Sequence, residues 1–281
     1  MLGQQLFADA PRDALLVGTD LMAQASLAAP GVDLADEARV AELWKDHGPF
    51  DAVIHTAAYT AVDLAETNAA LARRANVEAS AVLARRCALE GARLVAVSTD
   101  FVFDGESARP YREDDATRPL SVYGATKLEG ERAAFAEHAQ GTLIARTQWL
   151  YGPRGKHFPR TIANAAREKG RLKVVDDQRG SPTTTLALSP ALWDLTQRGE
   201  PGLYHAACEG ECSWFEFTRA ILDELELRSV VLEPCATSEF PRPAKRPAYS
   251  VLDSSKLTRL RGRSLGQWRE ALTAYLALEP L

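Results

Sequence analysis

The stretch Ala92-Arg93-Leu94-Val95-Ala96-Val97-Ser98-Thr99-Asp100 decides the fold of this chain. Its apolar run is nearly continuous up to Ser98, which is typical of a parallel strand covered on both faces. Thr99 follows where such a strand would open at its carboxyl end. Because open α/β sheets bind their ligands at that edge, the stretch predicts a buried parallel strand and the place of a functional site.

Strand-like apolar runs alternate with helical patterns through the first half of the chain. The predicted strands cover Ala14–Val17, Ala52–His55, Leu94–Ser98 and Thr142–Thr147. Apolar residues recur at helical spacing over Ala38–Lys45, Leu64–Leu89 and Tyr123–His138. Such alternation is typical of βαβ units. The predicted fold class is α/β: a Rossmann-like, doubly wound parallel sheet with a smaller C-terminal substrate-binding domain.

The smaller domain is predicted from a change in composition after Trp149-Leu150-Tyr151-Gly152-Pro153, where elements become shorter and Pro and Gly more frequent. We expect it to span about 152–182 and 209–281 and to close over the sheet edge. A dinucleotide-binding Rossmann domain, incomplete at its N-terminus, would then comprise 1–151 and about 183–208. Within it, Gly202–Ala207 is a short strand candidate that returns to the large sheet, and Ser213 with Glu216 predicts a capping box further on.

Tyr123 and Lys127 form a candidate proton-transfer pair. They are four residues apart in a predicted helix and so lie on one face of it. An ammonium near a phenol favours the phenolate and is expected to lower the pKa of the tyrosine. Spacing alone is weak evidence, but Thr99 at the strand end strengthens it.

Composition and charge exclude several functional classes. The chain has 281 residues, 46% of them hydrophobic and 25% charged, with a net charge of -5, which disfavours nucleic acid as a partner. No apolar run approaches the length of a membrane span and no secretion signal is recognisable, so neither membrane insertion nor secretion is expected. The four cysteines have no metal-type spacing, which predicts reduced, buried thiols in the cytoplasm and no metal site.

Several further segments, in their order and spacing, carry a family resemblance. They are Thr56-Ala57-Ala58-Tyr59-Thr60-Ala61-Val62-Asp63, Ser98-Thr99-Asp100-Phe101-Val102-Phe103-Asp104-Gly105, Tyr123-Gly124-Ala125-Thr126-Lys127, Arg146-Thr147-Gln148-Trp149-Leu150-Tyr151-Gly152, Val174-Val175-Asp176-Asp177-Gln178, Gly180-Ser181-Pro182-Thr183 and Arg246-Pro247-Ala248-Tyr249-Ser250-Val251-Leu252-Asp253. With these segments the chain resembles the dTDP-4-dehydrorhamnose reductases, a family of extended short-chain dehydrogenases/reductases. The Tyr-Lys pair marks the superfamily, whereas the later segments favour the reductase branch over sugar-nucleotide epimerases and dehydratases.

The resemblance implies a catalytic set of Thr99, Tyr123 and Lys127. Tyr123 would protonate the C4 oxygen of the sugar, Lys127 would hold the nicotinamide ribose, and Thr99 would hydrogen-bond the carbonyl. The substrate-binding residues implied are Val62, Asp63, Phe101, Trp149 and Arg246. Two alternatives stay open: Trp149 as a core indole, and Arg246 as a solvated arginine instead of a diphosphate ligand.

The resemblance also implies NADPH or NADH as cofactor. The residues expected to bind it are Gly3, Gln4, Asp20, Asp33, Leu34, Ala57, Ala58, Tyr59, Ser98, Tyr123 and Lys127. Asp20 lies about where an acidic residue would take the adenosine ribose hydroxyls and favour NADH. Asp33 would lie beside adenine or act as a turn residue.

The N-terminus departs from the family pattern. Met1-Leu2-Gly3-Gln4-Gln5-Leu6 resembles the end of a GxxGxxG turn and the start of its helix. We expect the first strand and the other two glycines to lie upstream of Met1, beyond a start codon placed at an internal methionine. The alternative is a real truncation that impairs cofactor binding. Gln5 stands where some relatives have a glutamate of a magnesium-linked dimer, so a monomer or weak homodimer is expected.

The function predicted from these residues is NAD(P)H-dependent reduction of dTDP-4-dehydro-L-rhamnose to dTDP-L-rhamnose, a precursor of cell-surface polysaccharides. One alternative is a reductase of another nucleotide-linked 4-keto sugar. The other is a non-catalytic regulatory subunit with the same fold.

Overall fold

The computed structural model describes residues 1–22, 27–279 and 281. The strands are β1 (Thr19–Asp20), β2 (Ala29–Pro30), β3 (Ala52–His55), β4 (Arg93–Thr99), β5 (Thr142–Thr147), β6 (Leu150–Tyr151), β7 (Arg171–Val175), β8 (Arg179–Gly180), β9 (Thr183–Thr184), β10 (Gly202–His205), β11 (Cys212–Ser213) and β12 (Val231–Cys235). The α-helices are α1 (Leu2–Ala8), α2 (Glu37–His47), α3 (Val62–Ala65), α4 (Ala69–Arg73), α5 (Ala79–Glu90), α6 (Val122–His138), α7 (Phe158–Lys169), α8 (Thr185–Arg198), α9 (Trp214–Glu224), α10 (Ser255–Arg261) and α11 (Trp268–Leu278). A π-helical turn covers Arg74–Glu78, and 3-10 turns cover Asp100–Val102 and Thr237–Glu239.

The largest sheet among the described strands is parallel and has the strand order β10-β5-β4-β3. Every residue of β5 is buried, and β4 is buried over most of its length. Helices cover both faces of this sheet, since α2, α5 and α6 pack on one side and α1 and α8 on the other. The predicted doubly wound fold is therefore confirmed, including the return of Gly202–His205 to the large sheet.

α6 carries the predicted Tyr-Lys pair and begins where the sequence indicated. The side chain of Ser121 caps it by accepting from the Gly124 backbone N–H, which satisfies one of the free donors of the first turn. In the middle of the helix, Gly130 allows a close approach to the π-helical turn, because a Cβ there would lie 2.1 Å from the Asn76 carbonyl oxygen.

The helix predicted over Leu64–Leu89 is interrupted in the structure. Three α-helices and the π-helical turn replace it. The buried Asn76 side chain accepts from the Tyr59 backbone N–H at 2.8 Å and donates to Thr126 Oγ1 at 3.0 Å. These two hydrogen bonds to distant residues stabilise the π-helical turn. The spacing of apolar residues along the chain does not predict them.

The strand predicted over Ala14–Val17 is wrong. Residues 14–18 have no regular secondary structure, and the strand begins later, at Thr19. A turn in which the Ala14 N–H donates to the Pro11 carbonyl precedes this segment. Of the described strands only β2 pairs with β1, over two residues, so an apolar run alone did not suffice to make a strand. Relative to the family that the sequence resembles, the chain carries an insertion before Val32, and this insertion lies partly outside the described residues.

Short elements of the C-terminal half pack together beside the carboxyl edge of the sheet. β7 and β12 form a parallel pair, and α7 and α9 pack against β7. The predicted capping box at Ser213 and Glu216 is confirmed and starts α9. No helix in the described part of the chain is long and apolar enough to cross a membrane.

Candidate active site

Thr99 ends β4 and lies beside Tyr123 in the first turn of α6. The Thr99 hydroxyl is buried, donates to Asp100 Oδ1 at 3.0 Å and accepts from the Phe101 N–H at 3.3 Å. The Thr99 hydroxyl is also close enough to the Tyr123 phenol to favour its ionised form. The structure thus brings together two of the three predicted catalytic residues through the parallel sheet and the helix that follows.

The protonation of Tyr123 differs from the expectation based on its neighbouring lysine. Burial raises the pKa of Tyr123 to about 12, the Thr99 hydroxyl opposes that rise, and the nearby Asp100 carboxylate adds to it. Desolvation of a phenolate therefore outweighs any attraction to an ammonium here. The phenol stays protonated near neutral pH and can act as an acid.

Lys127 is buried one helical turn beyond Tyr123. Its Nζ donates to the Val97 carbonyl of β4 at 2.7 Å, which fixes the amine under the sheet edge. Burial lowers the pKa of Lys127 to about 8, and the Glu131 carboxylate partly opposes that decrease. The amine is thus mostly an ammonium at neutral pH and titrates close to it.

Asp100 is a member of the site that sequence reasoning passed over. Its side chain is buried, with one carboxylate oxygen unpartnered among the described atoms, and burial raises its pKa to about 6. Hydrogen bonds with Thr99 and Ser250 oppose the rise. The one feature of the sequence that indicates a role for Asp100 is its position directly after Thr99. An acidic residue after a strand is more often a turn residue, so this position alone did not predict a place in the site.

Three segments that were far apart in the sequence converge on Gln148. Its Oε1 accepts from the Ser181 backbone N–H at 3.0 Å and from the Ser250 hydroxyl at 3.4 Å. The Ser250 backbone N–H also donates to the Arg179 carbonyl at 2.9 Å. The later segments therefore form one wall beside the catalytic residues.

Trp149 follows Gln148 on this wall in a left-handed backbone conformation, with φ of 46°. Its indole stacks on Trp214 with ring centroids 3.5 Å apart. Gly180 also lies close to the indole, since a Cβ there would come within 2.6 Å of it. The ring is only partly buried, so it combines features of both readings left open by the sequence, a packed indole with a surface available to a ligand.

Arg246 pairs with Asp63, and the structure does not leave it solvated in its loop. Its Nη1 and Nη2 donate to the two carboxylate oxygens at 3.0 and 2.9 Å, and Nη1 also donates to the Ala244 carbonyl at 2.9 Å. Arg242 lies 3.7 Å from the same carboxylate. Val62, next to Asp63, starts α3.

The Phe101 ring contacts the Tyr123 ring edge-on, with the ring centroids 5.6 Å apart.

Small residues line the end of β3 where a cofactor is expected. Ala57 is exposed and Ala58 is partly so. Gly3, in the first turn of α1, lies beside this segment, because a Cβ there would be 3.5 Å from Thr56 Oγ1. Asn76 holds the Tyr59 backbone on the far side. This leaves an open, side-chain-poor surface that a flat ring could contact.

Other residues expected at the cofactor have partners of their own. Asp33 accepts from Arg74 Nη2 at 2.7 Å and from the Ala35 N–H, and its pKa is lowered by these bonds. The Ser98 hydroxyl donates to buried Glu131 at 2.5 Å, so only its backbone faces the sheet edge. Gln4 is exposed, Leu34 packs in the small apolar clusters near β1, and Asp20 accepts from the Met22 N–H at 2.9 Å. Their roles at a cofactor stay predictions.

A metal centre is not evident among the described residues, where no group of three or more His, Cys, Asp or Glu side chains could hold an ion.

Comparison with known proteins extends over nearly the whole chain. Residues 2–279 match the family model described as the RmlD substrate binding domain. The dTDP-4-dehydrorhamnose reductase of Mycobacterium tuberculosis is 41% identical over 98% of this chain and 89% of that protein. A crystal structure of a dTDP-4-dehydrorhamnose reductase from Clostridium acetobutylicum has a TM-score of 0.90 at 35% identity and covers 100% of this chain and 96% of that one. The Bacillus anthracis dTDP-4-dehydrorhamnose reductase in complex with NADP has a TM-score of 0.89 at 32% identity, with 99% and 95% covered.

Proposed function

This chain belongs to the family described as the RmlD substrate binding domain, and we propose that it reduces the 4-keto group of dTDP-4-dehydro-L-rhamnose to give dTDP-L-rhamnose, with NADPH or NADH as reductant. The observation that carries the proposal is the placement of Thr99, Tyr123 and Lys127 at one sheet edge. The resemblance to reductases along nearly the full chain supports it.

The exposed end of β3 fits a nicotinamide cofactor. Ala57 and Ala58 present little side chain to a ring placed on them, and Lys127 lies on the neighbouring helix. We propose that these residues, with Gly3 nearby, hold the cofactor, which supplies the hydride when bound. Lys127, as an ammonium, would donate hydrogen bonds to the ribose hydroxyls.

Tyr123 is proposed as the acid of the reaction. Its phenol is protonated near neutral pH, because burial raises its pKa to about 12. The C4 oxygen of the sugar would take this proton as negative charge develops on it. Thr99, beside the phenol, would orient the same oxygen and stabilise the charge before transfer.

Trp149 and Arg246 are proposed to place the rest of the substrate. The indole offers one surface beside the catalytic residues for a sugar ring. The Arg246 guanidinium is held in place by Asp63 and the Ala244 carbonyl, and it keeps N–H groups beyond those three bonds for a diphosphate oxygen. Val62 and Phe101 would complete the apolar part of this pocket.

Reductase activity is the direct test. Purified protein is mixed with NADPH and with dTDP-4-dehydro-L-rhamnose generated in situ, and cofactor absorbance and product NMR are followed. We expect NADPH oxidation coupled to formation of dTDP-L-rhamnose, and none when the sugar is omitted. Failure of protein that binds NADPH to turn over this sugar would contradict the proposal.

The same assay separates the alternatives. Turnover of another nucleotide-linked 4-keto sugar in a substrate panel, but not of this one, would favour a reductase of different specificity. NADPH binding with no turnover on the whole panel would favour the regulatory subunit.

The proposed partners are the nucleotide sugar and the cofactor, in a monomer or weak homodimer that light scattering can distinguish. A cytoplasmic location is proposed with them. The cysteines in the described residues are free and buried, which fits a reducing compartment.

A further inference from the structure

A buried ion pair lies beneath the catalytic lysine. Arg146 on β5 donates from Nε and Nη2 to the two carboxylate oxygens of Glu131 on α6, at 2.9 and 2.6 Å. Their side chains are 2% and 4% exposed. This is the bidentate geometry in which an arginine and a carboxylate hold each other most rigidly.

Glu131 occupies the same face of α6 as Lys127, one turn further on. Ser98, the residue after the carbonyl that holds Lys127 Nζ, donates its hydroxyl to Glu131 Oε1. Lys127, Ser98 and Glu131 line one small cavity between α6 and β4. The carboxylate is therefore fixed by β4 and β5 together, in the cavity that Lys127 also lines.

A contribution to folding stability does not by itself explain why Glu131 and Arg146 are buried as an ion pair. Taking both charges out of water costs several kcal/mol per ion, and apolar residues of similar volume often serve a core as well or better. A buried carboxylate beside a buried amine does change the amine, because its negative charge favours the ammonium that burial disfavours.

The other titratable groups around Lys127 do not supply this charge. His55 on β3 is buried and neutral, since burial lowers its pKa to about 3. Tyr123 on α6 is a protonated phenol, and Asp100, beyond the end of β4, acts on Tyr123. Arg146 on β5 is a cation and so cannot favour a second cation at Lys127. Glu131 is thus the anion that faces the amine among these groups.

We propose that Glu131 is a positioning residue for the reduction: its carboxylate, fixed by Arg146 and Ser98, keeps Lys127 in the ammonium form that holds the nicotinamide ribose. The proposal rests on the proposed function for its catalytic consequence. Its physical core, the charge state of Lys127, can be measured without the sugar.

The test compares Glu131→Gln with Glu129→Gln, a change on the same helix at a partly exposed residue paired with Arg73 on the surface. The ammonium is present below the Lys127 pKa and is lost above it. Removal of the carboxylate should therefore move the alkaline decline of kcat/KM to lower pH by about one unit. The Glu129→Gln profile should coincide with that of the wild type.

NADPH affinity against pH, measured in a Tyr123→Phe background, gives the second readout. With Glu131→Gln, the pH at which NADPH affinity is lost should move to lower values. With Glu131→Asp, which keeps a carboxylate, this pH should lie closer to that of the parent. If the sugar is not reduced by the wild type but this shift is present, the proposed function fails and the assignment of Glu131 stands.

Unfolding measurements exclude a merely structural role. The proposal would be overturned if Glu131→Gln lowered the unfolding temperature but left the alkaline midpoints of kcat/KM and of NADPH affinity unchanged. If Glu131→Gln does not fold, the double variant Glu131→Gln/Arg146→Gln, which leaves no charge unpaired, is measured in its place. Its alkaline midpoints should also move to lower pH, and unchanged midpoints would again overturn the proposal.

Discussion

Burial sets the protonation of the proposed catalytic residues Tyr123 and Lys127. It raises the pKa of Tyr123 to about 12 and lowers that of Lys127 to about 8. The spacing of the two residues shows that they share a helix face, whereas the degree of desolvation depends on the sheet beneath them. At the scale of single residues, the acid is a neutral phenol and the adjacent cation is the group that titrates near neutrality.

Replacing the acid tests its role. Tyr123→Phe should lower kcat by about 10²- to 10⁴-fold, the usual contribution of a positioned acid, while NADPH still binds. Steady-state kinetics and cofactor fluorescence measure both quantities. Tyr204→Phe, whose hydroxyl bonds to the Glu200 backbone far from the site, serves as control and should retain activity. Loss of NADPH binding in Tyr123→Phe would point to a cofactor-binding role instead.

Filling the surface at the end of β3 tests the cofactor site. In the parent protein, NADPH at a hundredfold excess over its Kd should add about 2.7 kcal/mol to the unfolding free energy. Ala58→Leu should remove this gain, because the larger side chain occupies the proposed ring position. Thermal unfolding with and without NADPH measures the difference. Ala136→Leu, an exposed change on α6, should keep the gain, and an equal gain in Ala58→Leu would exclude this surface.

α6 and the π-helical turn show how one element positions several functional groups. The helix carries Tyr123, Lys127 and Glu131 on the side that faces the sheet, and its close approach to the turn depends on Gly130. Asn76, in that turn, joins α6 to the segment after β3 through Thr126 and Tyr59. At the scale of elements, the buried Asn76 amide holds α6 against the segment that follows β3.

A methyl group at Gly130 should disturb this contact. Gly130→Ala would place a Cβ 2.1 Å from the Asn76 carbonyl, so α6 must shift, at a cost of about 1–3 kcal/mol in the free energy of unfolding. Urea unfolding measures it. Arg132→Ala, an exposed change on the same helix, should stay within about 0.5 kcal/mol of the parent. A stable Gly130→Ala with normal kinetics would show that the approach is not needed.

The two halves of the molecule are joined across the site by an ion pair. Asp63 lies on α3, the helix that follows β3. Arg246 lies in the loop between β12 and α10, 183 residues away in sequence. The side chains are 27% and 22% exposed, so the pair is partly shielded from water. At the scale of the whole molecule, it connects Arg246, the residue proposed to bind the diphosphate, to α3.

The contribution of this pair should depend on pH. Arg246 lowers the pKa of Asp63 below its ordinary value of 3.8. The carboxylate therefore stabilises the folded protein at pH above that value, and the stabilisation is lost as pH falls through the lowered pKa. Asp63→Asn should cost about 1 kcal/mol at neutral pH, and its difference from the parent should shrink only at pH below about 4.

Urea unfolding at a series of pH values measures the difference between Asp63→Asn and the parent. Glu42→Gln, which breaks an exposed pair with Arg39 on α2, is the control and should change stability little. A constant difference across the whole pH range would mean that charge is not the cause.

The sequence by itself determined the fold class and the return of Gly202–His205 to the sheet, and it proposed the Thr99, Tyr123 and Lys127 set. Strand alternation, helical spacing and the family segments are properties of the chain that can be read along it. The tertiary structure alone decided that residues 14–18 form no strand, that Arg246 pairs with Asp63, and that Glu131 and Arg146 lie below the lysine. Those outcomes depend on which distant residues become neighbours and how far water is excluded from them, and neither is encoded in local spacing.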